Sequence, residues 1–248
     1  MGAAHRRRNL ARLCRHGGDR QAAAARDRND TGPLSARLST IGVVNPSVTG
    51  VLILLNVAVF MLQGVAGDVL LANFALWPLG RFALPELHAV VGFHPWQLLT
   101  SSLLHASVTH IFLNMFALYM FGRSVEAALG PRRFLWLYFS AVLVAALVQL
   151  LVVSWGTTGS PYPTIGASGG VFGVLLAFGM LFPRQRVMLL IPPIPMPAWL
   201  LVTAYGLIEL ASGVFGTEQG VAHFAHLGGM LGAYAVLRRW RARNASVL

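Results

Sequence analysis

Six stretches, at roughly 48–67, 103–122, 133–154, 168–182, 197–215 and 223–240, are almost wholly apolar. Most are close to the ~20 residues that a helix needs to cross hydrocarbon about 30 Å thick. Several runs of that length mark a polytopic membrane protein, and the predicted fold is all-α, a membrane bundle of six transmembrane helices. With 56% hydrophobic and 11% charged residues, the composition excludes an ordinary soluble domain.

The charges are distributed unevenly. All 19 basic residues are arginine. With the N-terminus inside, the outer loops hold only Arg81, against Asp68, Glu86 and Glu218. The tail, the turns with Arg123, Arg132 and Arg133 and with Arg184 and Arg186, and the end with Arg238, Arg239, Arg241 and Arg243 then face the cytoplasm. This predicts an even number of spans and two cytoplasmic termini. The pI near 11.4 is therefore read as membrane orientation, with no nucleic-acid partner implied. Residues 1–40 read as a disordered arginine-rich tail, 41–241 as the membrane domain and 242–248 as a second cytoplasmic tail. Arginine richness resembles a transit peptide, but Asp19, Asp27 and Asp30 weigh against one, and no secretory apolar region is present. Arg6 stands where myristoylation needs Ser or Thr. The single cysteine, Cys14, excludes an internal disulfide. Between the first two runs, residues 68–100 hold Phe74, Trp77, Phe82, Pro85 and Trp96, which predicts short helical pieces at the membrane interface.

Three polar positions break the apolar runs. In the predicted topology the second, fourth and sixth helices all run inward, so His110 and Asn114, Ser168 and His226 converge at one depth. Residues 168–182 make a helix of about 22 Å at 1.5 Å per residue, short of the ~30 Å core. Ser168 then lies roughly 8 Å below the outer face, and the loop 156–167 dips inward along a water-filled cavity. A serine hydroxyl there needs a partner. If that partner is His226, the pair is a nucleophile and its general base. The backbone N–H of Ser168 at a helix start, with His110 and Asn114 on one face at i and i+4, could donate to an oxyanion. Gly169-x-x-x-Gly173 and Gly228-x-x-x-Gly232 have the small-residue spacing of close helix packing, which short serine and histidine side chains require.

His105-x-x-x-x-His110-x-x-x-Asn114, Gly166-Ala167-Ser168-Gly169 and Ala225-His226-Leu227-Gly228-Gly229 occur in the order and spacing of the rhomboid intramembrane serine proteases of the six-span bacterial type. The chain resembles that family over about residues 45–240. The resemblance implies Ser168 as nucleophile, His226 as base, and His110, Asn114 and the Ser168 amide as oxyanion hole. It implies that Phe172 packs beside His226, with Gly166, Gly169, Gly229 and His105 in support. Glu126, followed by Gly130, matches the charged turn after the second span. One departure is Trp96-Gln97, where family members often carry Trp-Arg, which weakens the expected polar anchoring of the first outer loop. Glu209 is expected to make a structural hydrogen bond, His223 to sit at the interface, and His88 and His94 to be solvated.

The implied activity is an endopeptidase in a cell membrane, expected to be the bacterial inner membrane, cutting single-span proteins near the outer end of their helices. No cofactor or metal is implied, and the oligomeric state is open. Rival readings are a small transporter, against which no inverted repeat is evident, and a non-catalytic client-binding scaffold. A metalloprotease is disfavoured, because His-Glu-x-x-His is absent and His223 and His226 lack an acidic sequence neighbour.

Overall fold

The computed structural model describes residues 47–155, 161–188, 193–216 and 222–243. The arginine-rich tail with Cys14, residues 156–160 of the loop predicted to dip inward, and residues 244–248 lie outside the described residues.

The first helix, α1, is Val48–Phe74, bent at Ala66 where φ is −128°. It runs past the predicted end at 67. Asn73 Nδ2 donates to Val69 O, one turn back, at 2.8 Å. Its start is held from afar. The Glu126 carboxylate accepts from Val48 N at 2.7 Å, from Thr49 N at 2.9 Å and from Thr49 Oγ1 at 2.7 Å. An acidic group at a helix N-terminus satisfies N–H groups that have no partner within the helix and complements its dipole.

Residues 68–100 were predicted as short helical pieces. Instead α1 continues to Phe74, and an antiparallel hairpin follows, β1 (Phe82–Leu84) with β2 (Ala89–Val91). His88 turns it in the left-handed region at φ 47°. The expected short helical pieces are the 3₁₀ turn Pro85–Leu87 between the two strands and α2 (Gln97–Thr100), after which a second 3₁₀ turn, Ser101–Leu103, follows. Gln97 corrects a second expectation. It is fully buried, and its Oε1 accepts from Trp77 N and His94 N while its Nε2 donates to Asn73 O and Gly92 O. A neutral amide, with both an acceptor and donors, anchors this loop without an arginine. His94 is solvated as expected, though it stacks on the Trp96 ring at 4.5 Å.

The second apolar run begins as a helix at Val108 rather than 103. Ser107 is the cap, its hydroxyl accepting from His110 N at 3.1 Å. From there α3 (Val108–Ala117) passes through a π-helical turn, Leu118–Gly122, into α4 (Arg123–Leu129). The chain bends by 100° between Gln97–Leu103 and Val108–Leu129. Gly130, at φ 79°, ends the helix and starts α5 (Pro131–Trp155). Next come α6 (Ser168–Leu181), a second hairpin of β3 (Arg186–Met188) with β4 (Pro195–Pro197), then α7 (Ala198–Phe215) and α8 (His223–Arg243). Among the described residues three helices, α1, α5 and α7, are long and apolar enough to cross a membrane, and the bent pair could make a fourth.

The short α6 sits at the centre, with buried Gly169, Gly170 and Gly173 facing α5 and α8 and buried Gly179 facing α7. A Cβ on Gly173 would run into Ala141 Cβ, and one on Gly229 would run into the Gly169 carbonyl oxygen. The backbones of α6 and α8 therefore touch with no side chain between them, while α5 meets α6 through side chains that include Ala141 and Ala145. Around them Phe134, Leu137, Val174, Ala177 and Ala233 form a core with no exposed surface. The outward faces carry bare apolar side chains such as Leu54, Phe112, Trp136 and Leu207. Water would not tolerate so much exposed apolar surface, but lipid solvates it.

Candidate active site

Ser168 is the first residue of α6, and its cap, Ala167, contributes no side-chain acceptor. The approach to it is pinned at three points. Thr164 and Leu76 exchange backbone hydrogen bonds of 2.9 and 3.0 Å, and Gly166 N donates to Ser101 O at 3.0 Å. Gly166 has φ +131°, a conformation open to glycine at little cost. A Cβ there would also come within 2.8 Å of His110 Cε1 and 3.6 Å of Ser168 Oγ. The glycine thus provides both the turn and the space in which His110 and Ser168 face one another.

His226 reaches Ser168 from α8, with Nε2 to Oγ at 2.8 Å. The ring stacks on Phe172, one turn after the serine, with centroids 4.2 Å apart and planes within 6°. This contact sets the ring plane, and Tyr205 of α7 packs edge-on behind Phe172 at 6.2 Å. With Ser168 Oγ–H as donor, Nε2 must be the bare nitrogen and Nδ1 must carry the proton.

His110 Nδ1 accepts from Ala106 N at 3.4 Å, which leaves Nε2–H as a donor. Asn114 gives one amide hydrogen to His110 O at 3.0 Å and keeps the other. Both residues line the same cavity as Ser168 and His226, with a volume of about 1290 Å³. That exceeds the 300–1,000 Å³ or so of a small-molecule pocket and suits a stretch of polypeptide. His105 does not reach the reacting atoms. It is buried, lies edge-on to His110 at 5.1 Å, and its backbone is clamped by the Gln63 amide at 2.9 and 3.2 Å.

Two residues stand closer to the site than sequence suggested. Glu209 of α7 makes the structural hydrogen bond expected of it, accepting on Oε2 from His223 Nδ1 at 2.7 Å. The same oxygen also lies 2.8 Å from His226 Nδ1. That second contact is short, but it lies off the line that an N–H bond requires, so Nδ1 has close electrostatic contact without a formed hydrogen bond. His223 is buried rather than interfacial. The acidic neighbour that these histidines lack in sequence is supplied by another helix. Among the described residues, Glu209, His223 and His226 are the grouping whose atoms could hold a metal. The i, i+3 spacing of His223 and His226 was the available signal, but it carried no hint of the partner helix.

Comparison with known proteins agrees with this architecture. The model of the Rhomboid domain matches residues 92–241. Rhomboid protein 1, mitochondrial, from Saccharomyces cerevisiae is 33% identical over 149 residues, covering 60% of this chain and 42% of the yeast protein. RHOMBOID-like protein 12, mitochondrial, from Arabidopsis thaliana is 29% identical over 210 residues, 77% of this chain and 59% of that protein. Rhomboid protease GluP from Bacillus subtilis is 27% identical over 189 residues, 76% of this chain and 34% of that protein. The chain therefore spans less than two thirds of each of these relatives. Two of the three are named as mitochondrial, so the comparisons support a membrane protein and do not support the bacterial inner membrane in particular.

Proposed function

The chain belongs to the rhomboid family, and from that premise we propose that it is an intramembrane serine endopeptidase with Ser168 and His226 as its catalytic dyad. The observation that carries the reading is the 2.8 Å contact from Ser168 Oγ to His226 Nε2, made across two helices at the wall of a large cavity. As Oγ attacks the scissile carbonyl, its proton passes to Nε2, and the imidazolium returns it to the leaving amine. Water then enters by the same route and releases the acyl group, with the proton traffic reversed. His110 Nε2–H, the free Asn114 hydrogen and the Ser168 amide would donate to the oxyanion, each worth roughly 10²-fold or more in rate.

The membrane domain on this reading is 41–241, with six spans and both ends cytoplasmic, and the tails 1–40 and 242–248 stand outside it. Substrates are single-span membrane proteins cut near the outer end of the helix. Extended backbone must reach Ser168, so helix-breaking residues near the cut favour cleavage. The test is a tagged single-span reporter in reconstituted vesicles. Wild type should cleave it, and Ser168→Ala and His226→Ala should not. Cleavage persisting in both variants would sink the protease reading, and an inert wild type would favour a client-binding scaffold.

A further inference from the structure

His226 has a second side, turned away from the cavity. Its Nδ1 lies 2.8 Å from Glu209 Oε2, and that oxygen already accepts from His223 Nδ1 at 2.7 Å. All three side chains are buried, and neither Glu209 nor His223 lines the cavity that holds Ser168. The two imidazoles stand perpendicular, with centroids 6.4 Å apart, so both present Nδ1 to one oxygen without stacking.

From this arrangement we infer that Glu209 and His223 are positioning residues for the base, a carboxylate held by one histidine so that it orients the other. The inference rests on the protease reading above. For Ser168 to give its proton to Nε2, His226 must keep its own proton on Nδ1, and a buried Nδ1–H needs an acceptor. Glu209 Oε2, 2.8 Å from Nδ1, is the acceptor within reach. When His226 takes the serine proton, the imidazolium faces a carboxylate in a site shielded from water. The charge-assisted bond is then stronger than it was to the neutral ring. His223 donates to the same oxygen and keeps it between the two rings. Neither Glu209 nor His223 lines the cavity, so the pair acts only through His226.

The experiment compares wild type, Ser168→Ala, Glu209→Gln and His223→Gln on the vesicle reporter, with kcat and KM resolved. Labelling of Ser168 by a fluorophosphonate reports the base independently of substrate docking. Glu209→Gln should lower kcat and the labelling rate together by about 100-fold, with KM within about twofold, because only transition-state charge is lost. His223→Gln should lower kcat by about tenfold, since Glu209 remains but is less firmly held. Wild type cleaving, Ser168→Ala inert and Glu209→Gln at wild-type kcat would overturn this inference and leave the protease reading intact. A wild type that does not cleave overturns the protease reading and this one with it. If Glu209→Gln fails to fold, the ¹⁵N spectrum of the wild-type His226 ring decides. A protonated Nδ1 with bare Nε2 supports the inference, whereas the opposite tautomer, or a stoichiometric bound metal found by elemental analysis, refutes it.

Discussion

Gly229→Ala is the sharpest probe of how the two halves of the site are brought together. Adding one methyl group at this position places a carbon against the Gly169 carbonyl oxygen, with Gly169 C at 2.7 Å and Cα at 3.1 Å. These are backbone atoms, so no rotamer change relieves the clash. The helices α6 and α8 must separate by roughly 1.5 Å to restore ordinary contact. Overpacking of this kind costs roughly 1–3 kcal/mol of stability. The catalytic cost should be larger in proportion. Gly229 is three residues from His226 and Gly169 adjoins Ser168, so the separation opens the 2.8 Å contact directly. A misplacement of about 1 Å in a reacting pair can cost 10²-fold in rate. The assay is reporter cleavage beside thermal unfolding in the same detergent. The control is Gly64→Ala on α1, where the new carbon meets nothing within 4 Å. Gly64→Ala should keep wild-type cleavage and melt at or slightly above wild type, since alanine is the better helix former. A Gly229→Ala enzyme with wild-type turnover and melting temperature would refute the claim that backbone contact between α6 and α8 sets the Ser168–His226 distance.

Other consequences can be checked in the same assays. His110→Ala and Asn114→Ala should each lower kcat by about 10²-fold with little change in KM, because the donors act mainly on the transition state; an unchanged kcat in both would remove them from the oxyanion hole. Glu126→Ala strips three acceptor contacts from the start of α1 and should cost roughly 1–3 kcal/mol, seen as a lowered melting temperature. Gln97→Leu leaves the backbone groups of Asn73, Trp77, Gly92 and His94 without this partner. It should open the hairpin region 74–97 to protease digestion at temperatures where wild type resists.

Much of the fold was legible because lipid imposes a simple rule on sequence. A helix in hydrocarbon has to be apolar along its length, so runs of hydrophobic residues marked α1, α5, α6 and α7 to within a few residues at most ends. The hairpin β1–β2 escaped that rule, because at the interface backbone pairing is set by local turns and by a single buried amide. The start of α3 escaped it too: hydropathy is blind to the hydroxyl of Ser107, which decides where the helix begins.

Sequence alone determined which side chains were available for chemistry: a serine among glycines, a histidine before a pair of glycines, and a His–Asn pair one turn apart. It also determined that the helices bearing them could pack closely, since glycine spacing is a local property. Tertiary structure alone decided the distances. Gly169 meeting Gly229 brings Ser168 to His226, and the left-handed Gly166 makes room for His110. The surroundings of Glu209 were equally a tertiary matter. A carboxylate in a span has no sequence signal for its partners, because these lie 14 and 17 residues away on the next helix. Only the angle at which α7 meets α8 sets its oxygen between two imidazoles.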